Sequence, residues 1–261
     1  MPLQYAGAAA LFPRVEKKSA NIPGVGAPIR TLPPPIMTDT TEIARLDYLI
    51  STLQNTYGRQ TRYSTKSAVD QLVATILSQR TNYADEKAAY DSLLATYGDW
   101  AGVAAAPVAG IEACIQTSRW PEIKAPRIKE VLTHVIGTYG NDLDRVLTEM
   151  PLEEAQHLLM ELPGVGFKTA TFVLLFSLRR PVLPVDTHVH RVSTRFGILP
   201  EKISQAKAHG ALLEILPHDA DELLNFHKLL FKHGQRVCTY SRPRCGQCVV
   251  RERCRYFAAG S

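Results

Sequence analysis

Lys168 and Asp186 are the residues of this chain whose surroundings point most directly to covalent chemistry. Around the first the sequence reads Leu162-Pro163-Gly164-Val165-Gly166-Phe167-Lys168-Thr169-Ala170, and an apolar stretch then leads to Val185-Asp186-Thr187-His188. In the Pro-Gly-x-Gly turn, both glycines are expected to take φ > 0 and to leave N–H groups uncovered. N–H groups at the positive end of a helix make a phosphate site, so Gly164, Val165 and Gly166 read as a phosphate anchor. A lysine in the first turn of that helix is a candidate nucleophile, and a carboxylate just past the helix end can take its proton. Alone, the turn would be an ordinary helix–helix connection. Lysine, spaced aspartate and flanking apolar helices together favour chemistry.

A second constellation lies near the C-terminus. Cys238, Cys245, Cys248 and Cys254 form a C-x6-C-x2-C-x5-C array within 17 residues. With no signal peptide recognised, the expectation is a metal site rather than disulfides. Four thiolates serve zinc as well as an iron–sulfur cluster, and chemistry alone makes a tetrahedral zinc site the first expectation. Cys114, among Ile111, Ala113 and Ile115, is expected in the core.

LPGVGFKTA, VDTHVHRV and the cysteine array together resemble the endonuclease III family of helix-hairpin-helix DNA glycosylases. The resemblance implies that Lys168 and Asp186 are the catalytic pair and that the four cysteines ligate a [4Fe-4S] cluster. It implies a bifunctional DNA glycosylase and abasic-site lyase of base excision repair. Such an enzyme removes oxidised pyrimidines through a lysine Schiff base and nicks the strand by β-elimination. The expected partner is double-stranded DNA with damaged pyrimidines or abasic sites. A flipped nucleotide leaves a gap, and Leu77-Ser78-Gln79-Arg80-Thr81-Asn82 is similar to the family segment that plugs it, the plug being Gln79 or Arg80. Trp120 stands where the family inserts a second wedge and could stack there. His188 is read as a phosphate contact and His190 as structural.

Two departures bear on this reading. Phe167 stands where the family has a basic residue, and Arg119-Trp120-Pro121 replaces a small apolar wedge. They keep an alternative open, a weakly active or non-catalytic DNA-binding iron–sulfur protein. Adenine-mismatch relatives carry a glutamate where this chain has Thr75 and lack the lysine at 168, which excludes that specificity.

Composition agrees. The chain has 261 residues, 45% hydrophobic, with a net charge of +5. That is enough for a full core in one or two domains, and no apolar run is long enough for a bilayer. A soluble, cytoplasmic, nucleoid-associated monomer is the expectation. Lys232, Arg236, Arg242, Arg244, Arg251, Arg253 and Arg255 face a single acid, Glu252, between residues 232 and 256. This patch suits both a polyanionic partner and an anionic cluster, with Arg242 and Arg244 facing DNA.

The elements that must position these groups are helical. Residues 1–38 hold seven prolines and one acid, Glu16, and read as an extended tail whose prolines break any amphipathic transit helix. The glycine-rich stretch at 22–28 mimics the hairpin without flanking helices. Beyond it, period-3.6 patterning predicts helices at 41–56, 67–79, 84–96, 109–116, 122–138, 152–161, 167–178, 187–195, 202–215 and 219–233. Asn82 and Asp219 or Asp221 are expected starts, and Gly98, Gly140 and Gly197 expected stops. Pro181 to Pro184 predict an extended linker. The fold class is all-α. The resemblance implies a six-helix domain with the hairpin over 60–180, a discontinuous cluster domain from 39–59 and 181–256, and an active site in the cleft between them.

Overall fold

Serine, asparagine and aspartate mark where the helices of this protein begin. A computed structural model describes residues 40–140 and 142–260, and all regular structure among them is helical. In chain order the helices are α1 (Thr40–Tyr57), α2 (Ala68–Ser78), α3 (Tyr83–Tyr97), α4 (Trp100–Ala105), α5 (Val108–Cys114), α6 (Pro121–Tyr139) and α7 (Leu143–Glu149). There follow α8 (Leu152–Glu161), α9 (Phe167–Phe176), α10 (Thr187–Phe196), α11 (Gln205–Leu213), α12 (Ala220–Arg236) and α13 (Arg255–Ala258). Side chains of Ser67, Asn82, Asp99, Asp186, Ser204 and Asp219 accept N–H bonds at the heads of α2, α3, α4, α10, α11 and α12, satisfying donors that a helix start leaves open. Asp219, not Asp221, caps α12. Gly98, Gly140 and Gly197 end α3, α6 and α10 at φ of 83°, 57° and 95°, a region that favours glycine.

Every predicted helix is present, with ends shifted by up to three residues. Three short ones, α4, α7 and α13, escaped the sequence reading because four to seven residues are too few to show a helical period. The tail and its hairpin-like stretch lie outside the described residues. Cys114 is half-buried rather than enclosed, with its Sγ 3.5 Å from Thr96 Oγ1.

The core is organised around α9, whose Ala170, Val173, Leu174 and Leu175 are fully buried. It packs on α2 and α8 and meets α12. The linker after it is extended, and Val182, Leu183, Pro184 and Val185 are buried rather than solvated. Arg180 fixes its start, donating to the carbonyls of Leu147, Thr148 and Met150 at 2.8–3.1 Å. His227 Nδ1–H donates to Pro184 O at 2.8 Å and Gln205 Nε2 to Val185 O at 2.6 Å. The linker thus delivers Asp186 to a fixed place. At the other end, α1 lies on α12 through Asn225, which donates to Gln54 and accepts from the Gln60 amide. Among the described residues no helix is long and apolar enough to cross a membrane.

Candidate active site

A cleft of about 750 Å³ opens beside the start of α9. Gln71, Thr75 and Ser78 of α2, the turn 79–82, Tyr83 and Glu86 of α3, Lys168 and Phe172 of α9, Asp186, Thr187 and His188, and Phe231 and Gln235 of α12 line it. Lys168 and Asp186, 18 residues apart in the chain, therefore share one cavity. Lys168 is exposed, with its ammonium 5.5 Å from the Phe172 ring centroid. Asp186 is 4% exposed, and its Oδ1 accepts the N–H groups of His188 and Val189 at 2.8 and 2.7 Å. Capping takes one carboxylate oxygen and leaves Oδ2.

Behind the pair lies His227, 2% exposed and ringed by Phe172, Phe176 and Phe231. Burial pushes its pKa down, against the pull of Asp186 and helped by Lys168 and Lys228. It is neutral in the physiological range. On the far wall, burial raises the Glu86 carboxyl, with Lys66 and Lys124 opposing.

The hairpin differs in detail from the sequence reading. Gly164 has φ of +69°, but Gly166, expected to share that region, has φ of −91°. Gly164 is needed twice, because a Cβ there would also lie 2.2 Å from Arg127 Nε. Around Gly166 a Cβ would meet nothing within 4 Å, and α9 has no side-chain cap, so its first N–H groups stay open. Val165 does not join them. Its side chain is 4% exposed and its N–H donates to Leu162 O at 3.0 Å. Phe167 turns inward, edge-on to His209 with centroids 4.2 Å apart.

The other predicted residues are distributed as follows. Gln79 and Arg80 line the cleft, and Trp120, 47% exposed at the head of α6, stands outside that lining. His188 lines it, with its Nδ1 accepting from Arg191 Nη2 at 3.0 Å. His190 points away, its Nε2–H donating to Ile203 O at 2.9 Å. Arg242 and Arg244 are exposed on a loop closed by Thr239 Oγ1–H on Arg242 O and by Arg244 N–H on Val237 O.

All four C-terminal cysteines are free thiols lining one small cavity with Val192, Phe196, Val237, Pro243 and Val250. Burial pushes the Cys248 thiol up to about 11 and raises Cys254. The donors around them are cationic or polar: Arg195 Nη1 is 3.7 Å from Cys238 Sγ, and His233 Nε2 is 3.5 Å from Cys248 Sγ. Among the described residues no three His, Cys, Asp or Glu groups converge on a point for a single ion. The thiols ring a space.

A family model for HhH-GPD superfamily base excision DNA repair proteins matches residues 73–218, more than half of the chain. The chain belongs to that superfamily. Endonuclease III of Thermotoga maritima is 32% identical over 186 residues, 71% of this chain and 82% of the relative. That of Escherichia coli K12 is 28% identical over 212 residues, 81% and 95% of the two. A solved endonuclease III–DNA covalent intermediate superposes with a TM-score of 0.72 at 25% identity, over 84% of this chain and 98% of that one. The protein is an endonuclease III-like DNA glycosylase of base excision repair.

Lys124 was missed at the sequence level. It is 2% exposed beneath the 79–82 turn, yet in Pro121-Glu122-Ile123-Lys124-Ala125-Pro126 it reads as a solvated helix lysine.

Proposed function

We propose that this glycosylase is bifunctional, excising oxidised pyrimidines and then cleaving the strand as an abasic-site lyase. The observation that carries the reading is the shared cleft of Lys168 and the buried Asp186. A base stacked in a duplex is out of reach, so the damaged nucleotide swings into the cleft. Asp186 Oδ2 takes a proton from the Lys168 ammonium. The free amine attacks C1′, the glycosidic bond breaks, and the base departs with the bonding electrons and gains a proton. The new amine loses a proton, the C1′–O4′ bond breaks with O4′ taking a proton, and the ring-opened iminium acidifies C2′–H, whose loss expels the 3′ phosphate by β-elimination. Asp186 passes the proton it took from Lys168 on to the departing base, and its carboxylate then stabilises the positive charge on the sugar. Open N–H groups at the head of α9 hold a DNA phosphate, and Arg242 and Arg244 flank the duplex. A related endonuclease III was solved covalently joined to DNA, which supports the lysine route.

The cysteines fit a [4Fe-4S] cluster better than one zinc ion, because the sulfurs surround an apolar cavity with Arg195 beside them. Cys238, Cys245, Cys248 and Cys254 would hold it, and an iron–sulfur group there would clamp the 239–244 loop. The body around it, 181–256 with 39–59, would face the hairpin body 60–180 across the cleft. Borohydride should trap the wild type on an abasic-site oligonucleotide, and Lys168→Gln should abolish the adduct. A Lys168→Gln protein that traps fully would remove the assignment. Wild type that binds such DNA without trapping or nicking would favour a non-catalytic binder.

A further inference from the structure

Glu86 stands three residues before Ala89 and seven before Leu93, both fully buried, so it heads the inward stripe of α3. An apolar residue would be cheapest there, because a carboxyl taken out of water needs partners. Asn82 fixes its place: the Asn82 Oδ1 accepts the Asp85 N–H and the Asn82 carbonyl accepts the Glu86 N–H, each at 3.0 Å. The half-buried Glu86 side chain lines the cleft that holds Lys168 and Asp186. Its carboxyl nevertheless forms no hydrogen bond or ion pair among the described residues. The two cations whose field reaches it are held elsewhere. The Lys66 ammonium lies 3.5 Å from the Tyr90 ring centroid. The buried Lys124 ammonium donates to Leu77 O at 2.7 Å, Gln79 O at 2.8 Å, Thr81 Oγ1 at 3.1 Å and Ser118 Oγ at 2.8 Å.

Among the residues that line the cleft, Asp186 and Glu86 are the only acids. Lys168 attacks C1′, so a flipped base bonded to that carbon extends away from Lys168 toward the far wall. Gln71, Thr75 and Glu86 stand there, and Gln71 Nε2 already donates to Thr75 Oγ1 at 3.2 Å. We propose that Glu86 reads the damaged base, its carboxyl accepting the ring N3–H of a thymine- or uracil-type pyrimidine. This rests on the glycosylase reading above. In such a base N3–H lies between two carbonyls, O2 and O4. Burial raises the Glu86 carboxyl toward its neutral form, in which it also donates to one of those carbonyls and closes a pair of hydrogen bonds. An ionised carboxyl keeps the N3–H bond alone. Oxidation at C5 and C6 leaves this edge intact, so one contact serves several lesions of the class. Undamaged thymine offers the same edge, and its exclusion falls to the cost of unstacking it.

The test uses duplexes with one thymine glycol or its N3-methyl derivative, which lacks the donor. Wild type should excise the first about tenfold faster, the effect of losing one hydrogen bond to a charged group. Glu86→Gln keeps an acceptor beside a donor and should preserve most of that ratio. Glu86→Ala should bring the ratio near one. Its excision of thymine glycol relative to its nicking of a preformed abasic site should fall by a similar factor, because an abasic site has no base to read. Discrimination kept in Glu86→Ala would put the obstacle to the methyl group elsewhere and overturn the proposal, as would equal excision of both bases by wild type. If wild type excises neither, affinity for their 2′-fluoro analogues, whose glycosidic bond resists cleavage, decides, and equal binding overturns the role of Glu86. Failure to nick or trap abasic DNA refutes the lyase reading instead and leaves that binding comparison standing.

Discussion

Lys124→Met should leave stability almost unchanged at neutral pH and yet change its dependence on pH. Burial pushes the Lys124 pKa from 10.5 down to about 8, with Glu86 opposing and Arg127 reinforcing the shift. A shift of that size corresponds to about 3 kcal/mol against the folded, charged form at neutral pH. Methionine removes this cost but takes one of two donors from each of Leu77 O and Gln79 O, the Ser118 and Thr81 hydroxyls remaining. Losing hydrogen bonds to a charged donor costs about 1.5–3 kcal/mol. The two effects are of similar size, so the net change at pH 7 should be within about 1 kcal/mol. Between about 8 and 10.5 the folded chain holds one proton fewer than the unfolded chain at this residue. Its stability contribution is thus present above 10.5 and lost as pH falls through about 8. Urea unfolding at pH 7 and 9.5 should show wild type gaining about 2 kcal/mol on Lys124→Met. Other titrating groups cancel in the difference. An unchanged difference would mean that Lys124 keeps its proton in the folded protein at both pH values, with no lowered pKa, and the account of an ammonium disfavoured by burial would fail. The variant should retain borohydride trapping, because Lys124 is not among the residues that line the cleft of Lys168 and Asp186.

Phe167→Arg should tighten binding to abasic-analogue DNA by about 1 kcal/mol at low salt. The slope of log affinity against log salt should steepen by about one phosphate contact, with lesion preference unchanged; an unaltered slope would show that position 167 does not face a phosphate. Purified protein should be yellow-brown with iron and labile sulfide, and Cys248→Ser should lose the colour and melt earlier. Colourless protein with stoichiometric zinc would overturn the cluster.

The sequence disclosed those parts of the site whose partners are neighbours in the chain. The turn at Gly164, the lysine four residues on and the capping aspartate at 186 are each legible locally, because turn chemistry and helix capping act over two to four residues. The same locality revealed the starts at Asn82 and Asp219. It misled at Gly166: the Pro-Gly-x-Gly pattern suggests two left-handed residues, but one at 164 completes the reversal. At 166 the missing side chain leaves the helix head uncovered.

What stayed hidden is tertiary. Lys124 meets carbonyls 45 and 47 residues away, and no period in α6 distinguishes it from Lys129, which also turns inward to Ala104 O and Ala106 O. The choice between Gln79 and Arg80 was open for the same reason. Two adjacent polar residues in a turn are equivalent until the backbone at 80 is known, and that backbone is set by an ammonium arriving from another helix. A buried lysine is a costly way to secure a turn, since apolar packing is often as stabilising as a buried charge. Packing, however, cannot pair the last carbonyls of α2 and the hydroxyls of Thr81 and Ser118 at one point. An ammonium can, with its charge at the negative end of α2. The same contact that satisfies the helix end therefore fixes the turn that carries Arg80 at φ 57° beside the cleft, and that fixed turn is what the burial of Lys124 secures.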